Sequence, residues 1–260
     1  MKLSIVVPAY NEAQRILPSL ERLFAHMDAR ERSGDAHAHA YEVLIVDDGS
    51  TDDTAAVVQQ RFGDRPQLRL LSYGGNRGKG YAVRYGGAQA TGDIVLFSDA
   101  DFSTPIEELD KMLPLFDQGY DMVIGSRAMH GAEIRERQPF YREGAGKLFN
   151  LLVRLLVAPE FHDTQCGFKC YRREPLRPVL ARQQIDGFAF DVEMIALARA
   201  AGLKIAEVPV VWINSPTSKV GVAGGAAAFL DLIGIRRRAR KTAATLARGA
   251  ERAQMPPPAH

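Results

Sequence analysis

The chain has 260 residues, of which 46% are hydrophobic, 25% charged and 8% aromatic. These are ordinary globular values, and they exclude a disordered, collagen-like or coiled-coil chain. The length suits one sizeable core or at most two small domains, and two cysteines cannot form a disulfide framework, so the reading is an intracellular protein. The net charge of +2 hides an asymmetry: residues 234–252 hold Arg236, Arg237, Arg238, Arg240, Lys241, Arg248 and Arg252 against Glu251 alone, a +6 segment that leaves −4 on the rest.

No basic-then-apolar leader opens the chain, because the apolar run 3–7 ends at Pro8 and reads as a strand. Further strands are expected at 42–46, 68–71, 94–97 and 122–124. Helical spacing falls between them, around 13–30, 52–62, 79–90 and 106–117, with Ser50 or Thr51 and Thr104-Pro105 as start signals. This βαβα order predicts an α/β fold with a mostly parallel sheet flanked by helices. Residues 31–40 read as a surface loop. Beyond residue 128 come an amphipathic segment at 147–158, a polar loop, a helix near 189–201 and a strand pair around 204–213. The stretch 220–235 falls short of the roughly 20 strongly apolar residues of a membrane span, and 255–260 reads as a disordered end.

Two expected strands end in paired carboxylates, Asp47-Asp48 and Asp99-Ala100-Asp101, and a parallel order puts both ends on one sheet edge. Clustered carboxylates repel unless a cation or hydrogen-bond donors neutralise them, and hard oxygen ligands favour Mg²⁺ or Mn²⁺ over zinc. Either pair alone is equally open to a helix-capping role, which Glu12 after the first strand weakens. Such a cation commonly bridges a pyrophosphate. The run Asn76-Arg77-Gly78-Lys79-Gly80 before a helix allows close approach to phosphate, yet it lacks P-loop spacing and by itself reads as a solvated turn.

Taken in order, Pro8-Ala9-Tyr10-Asn11-Glu12, Val46-Asp47-Asp48-Gly49-Ser50-Thr51-Asp52, Asn76-Arg77-Gly78-Lys79-Gly80 and Asp99-Ala100-Asp101 resemble the family 2 inverting glycosyltransferases of GT-A fold, which is Rossmann-like. Gly125-Ser126-Arg127, the run from Asp163 to Lys169, the run from Gly187 to Glu193 and Ser218-Lys219-Val220 look like its polyprenyl-phosphate branch, closest to the dolichyl-phosphate β-glucosyltransferases. The resemblance spans about residues 2–220, so it implies a GT-A domain over 1–220, followed by a basic amphipathic extension at 221–252 and a disordered 253–260.

The resemblance implies a hexose moved from a nucleotide sugar, UDP-glucose first, to a polyprenyl or dolichyl phosphate; GDP-mannose and a hydroxyl acceptor stay open. Pro8, Tyr10, Glu12, Val46, Asp48, Lys79, Asp99 and Ala100 would line the donor. Asp101, with Asp99, would hold Mg²⁺ or Mn²⁺, and Arg127, Lys169 and Lys219 would hold phosphate. A lipid phosphate is already an anion at neutral pH and needs no strong base, whereas a hydroxyl acceptor would need one, with Asp191 the candidate. For Asp191 a helix-start carboxylate is an equal reading. Two other classes fit parts of the pattern: an aspartyl-phosphate phosphatase on Asp99, and a non-catalytic nucleotide sensor.

His162, Cys166 and Cys170 are spaced like a soft-metal site but supply too few ligands. Trp212 reads as core rather than as a sugar platform. The apolar segment 149–157 reads as a core helix, with a membrane-surface helix as the rival. The basic tail favours an anionic leaflet at the cytoplasmic, inner face of the membrane over nucleic acid, for which no recognition motif is present.

Overall fold

The computed structural model describes residues 1–34, 40–136, 140–214 and 231–245. Its first half runs β1 (Lys2–Ala9), α1 (Ile16–Ser33), β2 (Ala40–Asp47), α2 (Thr54–Phe62), β3 (Leu68–Ser72), α3 (Lys79–Gln89), β4 (Ile94–Ser98), a 3₁₀ turn (Ile106–Glu108) and α4 (Leu109–Asp117). The second half adds β5 (Met122–Ser126), β6 (Glu133–Ile134), α5 (Phe140–Leu156), β7 (Phe168–Arg172), α6 (Arg173–Leu180), α7 (Phe190–Ala200), β8 (Ile205–Pro209) and β9 (Val211–Trp212). A final helix, α8, covers 231–245.

The main sheet has the order β3-β2-β1-β4-β7-β5-β8, parallel except for β7, which runs antiparallel between β4 and β5. Both faces are covered, which is why the strands read as continuous apolar runs rather than as alternation. Alternate residues feed two cores. Val6, Leu44, Val46, Val95 and Phe97 pack with α3, α6 and α7. Leu3, Ile5, Val7, Val43, Ile45 and Leu96 pack with α1, α2 and α4 on the other face. In α1 the stripe Ile16, Leu20, Leu23, Phe24 and Met27 is buried, and Gly34 ends the helix at φ 68°, a left-handed cap that suits glycine.

Successive strands move outward from β1 to β3, and the chain then returns to place β4 on the other side of β1. That reversal opens a crevice at the carboxyl ends of β1, β2 and β4, where doubly wound sheets bind ligands. The ends of β2 and β4 flank that of β1 at ~10 Å from each other, two strand spacings, so Asp48 and Asp101 lie on one edge.

Four expectations need correction. Ser50 and Thr51 do not cap α2, whose cap position is Asp53; their polar groups bind Asn11 instead. Thr104 does not cap either, since its hydroxyl lies 3.6 Å from the Cys166 sulfur. The two strands expected around 204–213 form, but each pairs elsewhere, β8 with β5 and β9 with β6. The polar loop after 158 contains β7, whose Lys169 and Arg172 disguised a buried strand. Within 31–40, Glu31 to Ser33 complete α1, and 35–39 lie outside the described residues, as do 220–230 and 255–260.

Candidate functional site

Three loops at the carboxyl edge are laced together by their own polar groups. Asn11, at φ 55°, donates its N–H to Ser50 Oγ at 3.0 Å and accepts the Thr51 N–H at 2.7 Å. The Glu12 N–H reaches Thr54 Oγ1 at 2.7 Å. Asp48, 3% exposed, accepts the Tyr73 hydroxyl at 2.9 Å, Asn76 Nδ2 at 3.1 Å, and the N–H groups of Arg77 at 2.7 Å and Gly78 at 2.9 Å. Gly49, at φ 71°, lies against Gly75, where a Cβ would come within 2.5 Å of its carbonyl carbon. Asp48 is therefore the anchor that folds the 73–78 loop over the end of β2.

Acids and cations alternate across the floor. Glu12 holds Arg15 in a two-pronged ion pair, and Arg15 Nη1 lies 3.6 Å from Asp101 Oδ2. The other Asp101 oxygen accepts the Ser103 N–H at 3.0 Å, across Phe102 at φ 43°. Lys79 Nζ pairs with Asp99 Oδ1 at 2.6 Å. Burial would lower the Lys79 pKa, but Asp99 and Asp191 outweigh it and hold the ammonium above its usual value. Asp99 fits because residue 167 is glycine: a Cβ there would sit 2.2 Å from Asp99 Oδ2.

Beyond β4 the carboxylate of each pair is buried. Lys169 is fully buried and bridges the Cys166 carbonyl and Asp191 Oδ1, the latter at 2.5 Å. Burial pushes the Asp191 carboxyl above the ordinary range, with Lys169 and Lys79 pulling it part of the way back. Arg127 is gripped by Asp163 at 2.6 and 3.0 Å, and its guanidinium carbon lies 5.7 Å from the Trp212 ring centre. Burial would raise the Asp163 pKa, yet Arg127 brings it down to about 2.

The edge thus gathers Glu12, Asp48, Lys79, Asp99 and Asp101, with Tyr10 exposed at its rim. Pro8 and Val46 are buried in strands, and Val46 packs its side chain against Gly86 in the core, so only backbone can face a ligand there. Ala100 is buried as well. Lys169 and Asp191 face each other rather than open space, and Lys219 lies outside the described residues. Trp212 is half-buried beside Arg127, and His162 pairs with Glu207 at 3.0 Å instead of approaching a thiol. Both cysteines are free and buried.

Asp99 and Asp101 follow β4 and are partly open, with hard oxygens paired to Lys79 and Arg15. Among the described residues no group of three His, Cys, Asp or Glu could hold a metal. This donor set fits a cation that takes one or two protein carboxylates and fills its remaining positions from phosphate and water.

Sequence reasoning missed Arg15, Asp163 and Tyr73. Arg15 could have been found from the i, i+3 spacing to Glu12 at the start of a helix. Asp163 stood inside a quoted motif without a role, and nothing local points from Tyr73 to Asp48.

The family model described as Glycosyl transferase family 2 matches residues 4–180. Dolichyl-phosphate beta-glucosyltransferase ALG5C of Trichomonas vaginalis is 36% identical over 238 residues, covering 89% of this chain and 70% of that protein. The human dolichyl-phosphate beta-glucosyltransferase is 32% identical over 228 residues, 84% of this chain and 69% of its own length. The Mycobacterium tuberculosis glucosyl-3-phosphoglycerate synthase with UDP superposes at a TM-score of 0.60 and 21% identity, covering 92% of this chain and 80% of that one. The same synthase was also solved with Mn²⁺, UDP and its product, at a TM-score of 0.60 and 21% identity over 90% of this chain and 80% of that one. These neighbours share the GT-A fold.

Proposed function

The chain belongs to glycosyl transferase family 2, and on that premise we propose that it transfers glucose, with inversion, from UDP-glucose to dolichyl or another polyprenyl phosphate. The observation that carries this reading is the set of relatives at 30–36% identity over most of the chain, all dolichyl-phosphate beta-glucosyltransferases. Family membership sets the aspartyl-phosphate phosphatase aside.

In this reading the base and ribose lie across Pro8, Tyr10 and the loops pinned by Asp48, and the sugar and diphosphate lie over Asp99, Asp101 and Lys79. A divalent cation, Mg²⁺ or Mn²⁺, suits the Asp99 and Asp101 oxygens and would stabilise the negative charge of the departing diphosphate. Lys79 exchanges Asp99 for phosphate when the donor enters, and Arg15 steadies Asp101 through its second oxygen. Arg127, aimed by Asp163 beside Trp212, receives the acceptor phosphate. That phosphate attacks as an anion, its second pKa being about 6, so no base is required. Asp191 instead neutralises Lys169 inside the protein and keeps the floor of the site fixed.

A lipid acceptor calls for a membrane-facing surface, and two helices offer one. On α5, Phe149 and Val153 enter the core while Leu148, Leu151 and Leu155 stand 54%, 51% and 70% exposed at helical spacing. On α8, Arg236, Arg237, Arg240 and Lys241 are solvent-facing beside exposed Ile233. Each cation near an anionic leaflet contributes about 1 kcal/mol, which supports peripheral attachment at the inner face. No helix among the described residues is long and apolar enough to cross a membrane.

The test is radiolabelled UDP-glucose, and GDP-mannose in parallel, with dolichyl phosphate in vesicles and either Mn²⁺ or EDTA. The expected result is lipid-linked glucose from UDP-glucose with metal only. Labelling from GDP-mannose alone, or no lipid product, would refute the assignment.

A further inference from the structure

The helix α8 is joined to the body by more than apolar packing. Leu232 and Ile235 are buried in the core that holds α7, and Arg238 Nε lies 2.6 Å from Glu193 Oε1. Glu193 sits on α7 two residues beyond Asp191 and is fully buried. Its Oε2 accepts the N–H groups of Gln184 at 3.0 Å and Ile185 at 2.8 Å. One buried carboxylate therefore joins α8 to the segment 184–187.

That segment is wedged against the start of α3. Gly80 donates its N–H to the Asp186 carbonyl at 2.8 Å, and Arg84 reaches Asp186 Oδ1 at 2.6 Å. A Cβ on Gly78 would meet the Asp186 carbonyl oxygen at 2.4 Å, and one on Gly80 would meet that of Ile185 at 2.5 Å. At Gly78 the contact is backbone on backbone, and at Gly80 the Phe190 side chain closes in as well, so neither position leaves room for a shift. Lys79 stands between those two glycines and pairs with Asp99.

We propose that the Arg238–Glu193 pair positions the donor: it holds the 184–187 segment, which sets the backbone at 78–80 and aims Lys79 at the donor's diphosphate. The C-terminal helix is then part of the donor site rather than only a surface anchor. Loss of Arg238 leaves Glu193 with two N–H donors and no compensating charge, so the segment loosens while the sheet stays intact. The kinetic arm of the test rests on the donor assignment above; the exchange arm does not.

The test compares the full chain with its Arg238→Gln, Arg238→Lys and Glu193→Gln variants. In ligand-free protein, hydrogen exchange at the Ile185 and Gly80 amides should quicken about tenfold in Arg238→Gln and return toward the original rate in Arg238→Lys. In the transfer assay the UDP-glucose KM should rise about tenfold in Arg238→Gln with kcat within about twofold. A purely structural clasp gives faster exchange confined to 231–245 and an unchanged KM, and either result overturns the proposal. Should Arg238→Gln fail to fold, Glu193→Gln carries the same readouts, since its neutral amide gives up the charge pairing with Arg238. A wild-type chain that shows the exchange link yet turns over no UDP-glucose would sink the donor assignment and leave the link standing.

Discussion

The two flanks of the crevice are built by opposite means. On the donor flank, Asp48 after β2 is buried under loop N–H groups, while Asp99 and Asp101 after β4 are partly open and are steadied by a loop N–H group and by cations that also face solvent, Lys79 and Arg15. On the acceptor flank Lys169 and Asp191 form a sealed pair, and Asp163 is buried beneath an Arg127 whose side chain is 30% exposed. An exposed pair can part at little cost and take a new partner. A buried pair cannot, because whichever charge is left behind has no solvent to turn to. The Lys79–Asp99 pair is suited to exchanging partners, and the Lys169–Asp191 pair to holding a shape.

The two lysines break or sharpen this contrast most directly. Lys169→Met strands a buried Asp191 and should cost about 3–5 kcal/mol of stability, read by chemical denaturation. The double variant Lys169→Met/Asp191→Leu should recover much of it. Lys79→Met, on the open side, should cost under about 1 kcal/mol while donor binding falls. Equal stability losses for the two lysines would erase the distinction.

The next effect is a pH dependence. Asp163 falls from the ordinary 3.8 to about 2 in the folded chain, so its stabilising contribution is present in full above the unfolded value. It is lost as pH falls from about 4 through about 2, and amounts to about 2 kcal/mol. Asp163→Asn should flatten that part of the acid limb of a stability-against-pH curve, whereas an unchanged limb would mean that Arg127 is not what holds the carboxyl down.

Legibility in the sequence follows the same divide. β1 to β5 and the acids after β2 and β4 were readable, because an apolar run that stops at a carboxylate is a local signal. The antiparallel β7 was not. Its strand carries Lys169 and Arg172, and only the tertiary partners Asp191 and the carbonyls of Phe116 and Tyr120 make those charges tolerable inside. Ser50 looked like a helix cap because a cap and a loop-to-loop hydrogen bond need the same residue type. The role of Asp48 as the anchor of the 73–78 loop also depends on residues about 25 positions away.

The smallest expected effect concerns the outer surface. Leu151→Glu with Leu155→Glu should weaken binding to anionic vesicles about tenfold while the denaturation midpoint stays put, since neither side chain is in the core. A fall in stability without loss of vesicle binding would assign the stripe to folding instead.

The claim that the other assignments depend on is that Asp101, at the end of β4, joins a divalent cation in gripping the donor's diphosphate. Calorimetric titration of UDP-glucose into the wild-type chain and Asp101→Asn, with Mn²⁺ and then with EDTA, tests it directly. The account predicts heat of binding only for wild type with metal, both chains melting alike. Equal binding by Asp101→Asn, or by wild type in EDTA, would contradict it.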